Sequence, residues 1–335
     1  MPSLFLLVLQ LLPVLNVAVG SNISMPNCVD HCGDVQIRYP FGIGPNCYRE
    51  PPYEIICNAS FGSPKPFLRE FNLEVLDISW SDYSEFNLIT VVLPRASICG
   101  SDGAKEIHSY DLKGSPYRFA SNVLMMEGCG GSAIVKDRHG EIMSGCASIC
   151  ASDAAPINAT TCYGVGCCQV SIPDNLDYFE IAVVFEQQIK ANTFNVSVAV
   201  IDSESMLNLT GSLSSLEIIP AALSWNVSFA KPYQFEGMAN VSCDSPIHIC
   251  KCQIYYEGNP YLPNGCQVVK ECTECIGHCD AGYSSKHSQY YYYCKKHPLF
   301  RRAPFLGFVA GLGFVLLVLG SYGLYRYVKR RREIR

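Results

Sequence analysis

Between Cys28 and Cys57 the chain places four half-cystines around Arg38, Tyr39, Phe41 and Arg49. Two aromatic rings beside two guanidinium groups are the residue types that recognise an acidic sugar. The rings offer flat faces to sugar C–H groups, and an arginine offers a planar fork to a carboxylate. The same rings could instead fill a small disulfide-bonded core, and the residues alone leave both readings open. A short alternating strand at residues 35–38 runs into Tyr39-Pro40-Phe41-Gly42-Ile43-Gly44-Pro45. Pro40 biases Tyr39 toward an extended backbone, and Gly42 and Gly44 permit positive φ, which predicts a strand broken by a stapled turn.

Disulfides and sugar chains set the environment that such a turn needs. All 19 cysteines lie between Cys28 and Cys294, a usage that fits the oxidising side of a membrane. Cys28, Cys32, Cys47, Cys57, Cys99, Cys129, Cys146, Cys150, Cys162, Cys167, Cys168, Cys243, Cys250, Cys252 and Cys266 are all expected to form bridges, although an odd total leaves one cysteine of the 19 over. The neighbours Cys167 and Cys168 are expected to take different partners, because a ring between adjacent residues strains the peptide. Cys272 and Cys275, with His278-Cys279, imitate zinc spacing, but in a secreted chain they read as further bridging cysteines and no metal is expected. Asn-x-Ser/Thr sequons at Asn22, Asn58, Asn158, Asn195, Asn208, Asn226 and Asn240 agree with a secreted glycoprotein.

From residue 61 to about 232 the pattern is β. Residues 71–75, 88–93, 179–185, 194–200 and 225–229 each read as strands. In the last two, alternation puts Asn195 and Asn226 on a face opposite the apolar residues, predicted to meet solvent. An apolar run at residues 4–15 followed by Ala18 and Gly20 reads as a signal peptide over residues 1–20. Residues 303–325 carry no charge, and at ~1.5 Å per residue they span roughly 34 Å, enough to cross a bilayer core of about 30 Å. Tyr290 to Tyr293 lie just before that run, either at the membrane interface or inside the small disulfide core. The basic residues 326–335 fit a cytoplasmic tail facing anionic lipid.

Cys32-Gly33-Asp34-Val35, Ile37, Tyr39-Pro40-Phe41-Gly42-Ile43, Cys47 and Cys57 closely resemble the opening of the galacturonan-binding domain of plant wall-associated receptor kinases. Gly164-Val-Gly166-Cys167-Cys168 and Trp225 are similar to that family as well, so the resemblance covers nearly the whole extracellular part. It implies a mainly β, disulfide-rich architecture in consecutive parts: a galacturonan-binding domain at 21–98, a cysteine- and strand-rich continuation at 99–242, and a degenerate EGF-like block at 243–300. A transmembrane helix at 303–325 and the tail at 326–335 complete it. The implied ligand is cell-wall pectin or its oligogalacturonides, met by Arg38, Tyr39, Phe41 and Arg49. The implied location is the plasma membrane, single-pass, with the extracellular part facing the wall and a separate receptor kinase as signalling partner.

Other function classes find no support in the sequence. There is no Gly-x-Ser-x-Gly elbow, metal-binding helix, glycine-rich phosphate loop, β3 lysine or catalytic-loop aspartate. Neither a kinase, a cofactor nor a nucleic-acid partner is therefore expected of these residues. The Val268-Val-Lys270-Glu271-Cys272 segment lacks the aspartate of calcium-binding EGF modules, and Lys270 would repel the cation. Between residues 21 and 300 there are 17 Lys and Arg against 29 Asp and Glu, a balance of −12. A polyanion would be repelled at long range, so binding requires a local cationic cluster acting within about 8 Å.

Overall fold

Alternating apolar and polar residues turn most of the chain into antiparallel strands. The computed structural model describes residues 23–79, 87–100, 105–150, 162–185, 194–209, 212–227, 240–243, 249–275, 277–284, 289–296 and 298–333. The leader expected at 1–20 and the sequons at Asn22 and Asn158 lie outside the described residues, as does the side chain of Asn195.

A two-residue ladder, β1 (His31–Cys32) and β2 (Val35–Gln36), opens the chain. Then follow β3 (Ile55–Asn58), β4 (Lys65–Leu68), β5 (Leu73–Ser79), β6 (Asn87–Val92), β7 (Ala96–Gly100), β8 (Lys105–Asp111), β9 (Tyr117–Phe119) and β10 (Asn122–Glu127). Next come β11 (Gly131–Lys136), β12 (Ile142–Ser148), β13 (Cys167–Ser171), β14 (Tyr178–Phe185), β15 (Phe194–Asp202) and β16 (Pro220–Trp225). Short strands complete the set: β17 (Val241–Cys243), β18 (Cys250–Cys252), β19 (Tyr256–Gly258), β20 (Cys266–Val268), β21 (Gly277–Ser284) and β22 (Gln289–Lys296). The larger sheets run β3-β4-β5-β6-β16-β9, β13-β10-β15-β7 and β12-β11-β14-β8. The fold is mainly β and disulfide-rich, with one long apolar helix.

Two sequence expectations for strands are corrected. Of the strand expected at 225–229, Trp225 ends β16 and its ring is buried together with Val227, Asn226 is half-buried rather than outward, and residues 228 and 229 lie outside the described residues. In β15 both faces are buried: Val196, Val198 and Val200 enter one core, and Ala199 and Ile201 enter a second with Met125, Cys162, Cys167, Met206 and Leu213. The short segment α1 (Ser203–Leu207), capped by the Asp202 carboxylate at the Glu204 and Ser205 amides, folds back over that second face. A strand in the middle of a sheet between two layers has no solvent side, whatever its alternation.

The main core is built on edge-to-face rings. Phe41 lies 5.4 Å from Tyr53 and 5.2 Å from Trp225, at 79° and 88°, and Trp225 lies 5.5 Å from Tyr261. Several polar groups inside this cluster are paired, although the buried Trp225 Nε1 has no hydrogen-bond partner among the described residues. Asn259, fully buried, donates from Nδ2 to the carbonyls of Ile23 (2.8 Å) and Tyr39 (2.7 Å) and accepts from the Tyr261 amide (2.9 Å). The Tyr261 hydroxyl accepts from Asn87 Nδ2 at 2.7 Å and from the Cys250 amide at 3.2 Å. Asn122 on β10 joins two sheets by bonding both the carbonyl and the amide of Ala222 on β16.

Nine bridges are present: Cys28–Cys47, Cys32–Cys57, Cys129–Cys150, Cys146–Cys168, Cys162–Cys167, Cys243–Cys250, Cys252–Cys266, Cys272–Cys279 and Cys275–Cys294. Cys167 and Cys168 do take different partners. Eighteen of the 19 cysteines pair among themselves, and the side chain of Cys99, grouped with the bridging residues in the sequence reading, lies outside the described residues. Cys272, Cys275 and Cys279 bridge rather than ligate, and the described residues contain no cluster able to hold a metal.

The chain divides into two units, Met1–Cys252 with Gly258–Cys266, and Gln253–Glu257 with Gln267–Arg335. The sequence reading places boundaries at 98/99 and 242/243. Strand β7 runs across the first, and beyond the second Cys243, Cys250 and Tyr261 join the main core. The second unit holds β21, β22, the short α2 (Lys270–Thr273) and α3 (Pro298–Glu333). Within α3, Gly307–Arg332 has a mean hydropathy of 1.9 and is long and apolar enough to cross a membrane.

Replacing Asn259 by Ala leaves the Ile23 and Tyr39 carbonyls without their buried donor. The expected loss is about 1–3 kcal/mol in chemical denaturation, with reduced secretion, whereas Asn208→Ala on the exposed end of α1 stays within about 0.5 kcal/mol. Burial also pushes Tyr110 up to about 12 and raises Tyr53, Tyr117 and Tyr261 above the ordinary phenol value. Because these folded values exceed the unfolded one, their contribution is full below pH ~10 and is lost as pH rises beyond it. Phenolate absorbance should therefore rise in two stages, exposed tyrosines first and this group only with unfolding.

Candidate functional site

The structure places the four expected contact residues unequally. Phe41 has no exposed surface and sits in the centre of the aromatic cluster, so it cannot stack on a sugar. The side chain of Arg49 is 12% exposed, its Nε 3.6 Å from Glu50, and its amide bonds to the Pro40 carbonyl. Arg38 and Tyr39 are half-buried, and the Tyr39 carbonyl is held by Asn259. Of the two readings open to the sequence, Phe41 follows the core-filling one. Gly42 also plays a different part from the one expected. Its φ is ordinary, and it is glycine because a Cβ there would come 2.0 Å from the Cys47 carbonyl oxygen. Gly44 does adopt a positive φ, 85°. The turn is thus pressed between the Cys28–Cys47 bridge and the core, and its motif is mainly a folding device.

An exposed surface of the expected chemistry lies on the neighbouring hairpin. Strands β3 and β4 pair with Ile56 opposite Phe67 and Asn58 opposite Lys65. Along β4 Pro66 and Leu68 are buried, whereas Lys65 and Phe67 point the other way. Phe61, in the connecting loop, is 55% exposed and lies 5.8 Å from Phe67 with the rings tilted only 30°. Lys65 Nζ stands 5.5 Å from the Phe61 ring centre and 2.8 Å from Glu74. Ile56, 42% exposed, extends the apolar strip. Beyond it Arg69 Nη1 bonds Glu54 at 2.6 Å, and Arg69, Glu54, Glu70, Pro51 and Pro52 line an open cavity of about 360 Å³.

This surface offers two ring faces, an ammonium and a guanidinium on a rigid hairpin, with each cation paired to a glutamate. A carboxylate ligand can replace those glutamates without burying an unpaired charge. Sequence reasoning missed it because Phe61, Lys65, Phe67 and Arg69 form no compact motif. The available signal was the alternation of Lys65, Phe67 and Arg69 at period two beside a loop phenylalanine. The sequon at Asn58 shares the hairpin, where its Oδ1 accepts from the Ser60 amide. Asn208 is exposed and Asn240 half-buried at a positive φ of 67°.

Comparison with known proteins places this hairpin inside a recognised domain. Residues 28–90 match the family model described as wall-associated receptor kinase galacturonan-binding. Among curated proteins, the chain is 30% identical to wall-associated receptor kinase-like 6 of Arabidopsis thaliana over 92% of its own length and 54% of the relative's. Wall-associated receptor kinase-like 10 is 28% identical over 97% of this chain and 49% of its own, and wall-associated receptor kinase 2 is 25% identical over 91% and 45%. The chain spans about half the length of these relatives. With the stapled Tyr-Pro-Phe-Gly turn, the β fold and these matches together, the chain is similar to the wall-associated receptor kinases, and its residues 28–90 match their galacturonan-binding family model.

Proposed function

We propose that this protein is a cell-surface receptor-like protein that binds cell-wall galacturonan, as pectin or oligogalacturonides, on the outward face of β3 and β4. The observation that carries the reading is the exposed Phe61–Phe67 ring pair with Lys65 and Arg69, lying within the residues that match the galacturonan-binding family. Galacturonate rings stack on Phe61 and Phe67, while their carboxylates meet Lys65 and Arg69 in place of Glu74 and Glu54. The overall charge of −12 between residues 21 and 300 repels the polymer at long range. Capture is therefore local, slow to associate and weakened by salt. Helix α3 anchors the protein as a single-pass plasma-membrane protein with residues 21–300 outside, and the signal passes through a receptor kinase partner rather than by catalysis in these residues. The same negative charge supports a second reading, a protein-binding co-receptor that touches no sugar.

The Phe61→Ala/Lys65→Gln variant is expected to weaken oligogalacturonide binding by about tenfold, ~1.4 kcal/mol, measured by calorimetry on the full chain in detergent. Its stability should stay within about 0.5 kcal/mol of the parent, since neither side chain lies in the core. Arg38→Gln/Arg49→Gln serves as the comparison pair. Loss of binding in that pair alone returns the site to the turn. No binding by the parent at low salt favours the co-receptor reading. Glycosidase treatment should lower the mass through the sequons, and Asn58→Gln should leave affinity equal or higher, because a glycan there stands beside the rings.

A further inference from the structure

Next to the membrane helix lies a second exposed aromatic surface, on a hairpin with two unlike faces. Strands β21 and β22 pair with Asp280 opposite Tyr293, Gly282 opposite Tyr291 and His278 opposite Lys295. One face carries Cys279 and Cys294, stapled to Cys272 and Cys275, and Tyr292, whose ring lies 5.9 Å from Tyr255. The other face carries Tyr291, Tyr293 and Lys295 in line at period two. Tyr291 and Tyr293 stack at 5.9 Å and 29°, and remain 54% and 41% exposed. The ring of Tyr291 lies across Gly282, where a Cβ would come within 2.4 Å of it. This glycine lets the ring lie flat, so that the stripe is broad and shallow. Tyr293 also donates to Asp280 at 3.4 Å.

The geometry points to the phospholipid headgroup layer of the outer leaflet as the partner of this face. Helix α3 starts at Pro298, with a single residue between it and the end of β22 at Lys296, so the hairpin is tethered closely to the membrane helix. Between Pro298 and the uncharged run that starts at Ala303 lie about five residues, or ~8 Å of helix. The interfacial region on each side of a bilayer is roughly 5–8 Å thick, so the Lys295 end of the stripe stands at headgroup depth. Tyrosine rings are amphipathic and collect at that level. Lys295 supplies a cation for lipid phosphates at the same end. Two or more tyrosines and a lysine laid on headgroups hold the disulfide-stapled hairpin against the bilayer and fix the angle at which the second unit leaves the membrane. This inference needs only that α3 crosses a bilayer, and is independent of the polysaccharide reading.

Hydroxyl-radical labelling of the full chain in phosphatidylcholine nanodiscs, one copy per disc, tests it. Tyr163, 78% exposed and remote in sequence, is the internal reference. Tyr291 and Tyr293 should label several-fold more slowly than Tyr163. Inserting about eight helix-forming residues between Phe300 and Arg301 raises the hairpin by ~12 Å and should restore fast labelling. Labelling as fast as Tyr163 in the parent overturns the inference. So does protection that survives the insertion, or protection seen only with two copies per disc, which would make a second copy of the chain the partner.

Discussion

Asn259 ties the first described residues to the end of the first unit, and most of that unit's architecture depends on the tie. Its amide reaches the carbonyls of Ile23 and Tyr39 from a position more than two hundred residues away in the chain, and its oxygen orients Tyr261. Tyr261 in turn closes the ring cluster over Trp225 and bonds Asn87 on β6. Buried amide groups without partners cost roughly 1–3 kcal/mol each. Placing the Tyr-Pro-Phe-Gly turn, β6 and the Cys243–Cys266 segment in one connected network therefore fixes all three at once. The disulfides add local closure. Cys28–Cys47 and Cys32–Cys57 hold the turn, and Cys243–Cys250 and Cys252–Cys266 hold the segment that presents Asn259.

That arrangement leaves the stapled turn to folding and the neighbouring hairpin to the proposed recognition. The turn that identifies the family spends its aromatic residue on the core, and Gly42 is pinned against the Cys47 carbonyl. What this rigid base carries outward is the β3–β4 hairpin, with Ile55 and Leu68 packed inward and Phe61, Phe67, Lys65 and Arg69 turned outward. Cations held by glutamates on a rigid strand pair are preorganised for exchange with an acidic ligand, since the side chains are already ordered before binding. Under the proposed binding, the net charge of −12 between residues 21 and 300 favours partners that approach these cations closely over any polyanion at a distance.

Much of this was legible in the sequence, for identifiable reasons. Strands β5, β6, β14 and β15 follow apolar alternation or apolar runs, and α3 follows an uncharged stretch longer than a bilayer needs. Different partners for Cys167 and Cys168 followed from peptide geometry. The solvent side assigned to β15 failed because alternation reports one buried face and says nothing of a second layer such as Met206 and Leu213. The role of Phe41 could not be decided from its neighbours in sequence, because the residues that bury it, Tyr53, Tyr117 and Trp225, come from distant segments. In the same way Tyr261, beyond the boundary read at 243, belongs to a core most of whose members lie far upstream.

The most direct measurement is side-chain footprinting of the intact protein with and without a saturating oligogalacturonide. The account predicts that Phe61 and Phe67 become protected on binding, while Tyr39, Tyr48 and Tyr163 label at unchanged rates. Protection confined to Tyr39 and Tyr48, with Phe61 and Phe67 unaffected, would put the ligand on the stapled turn and contradict it.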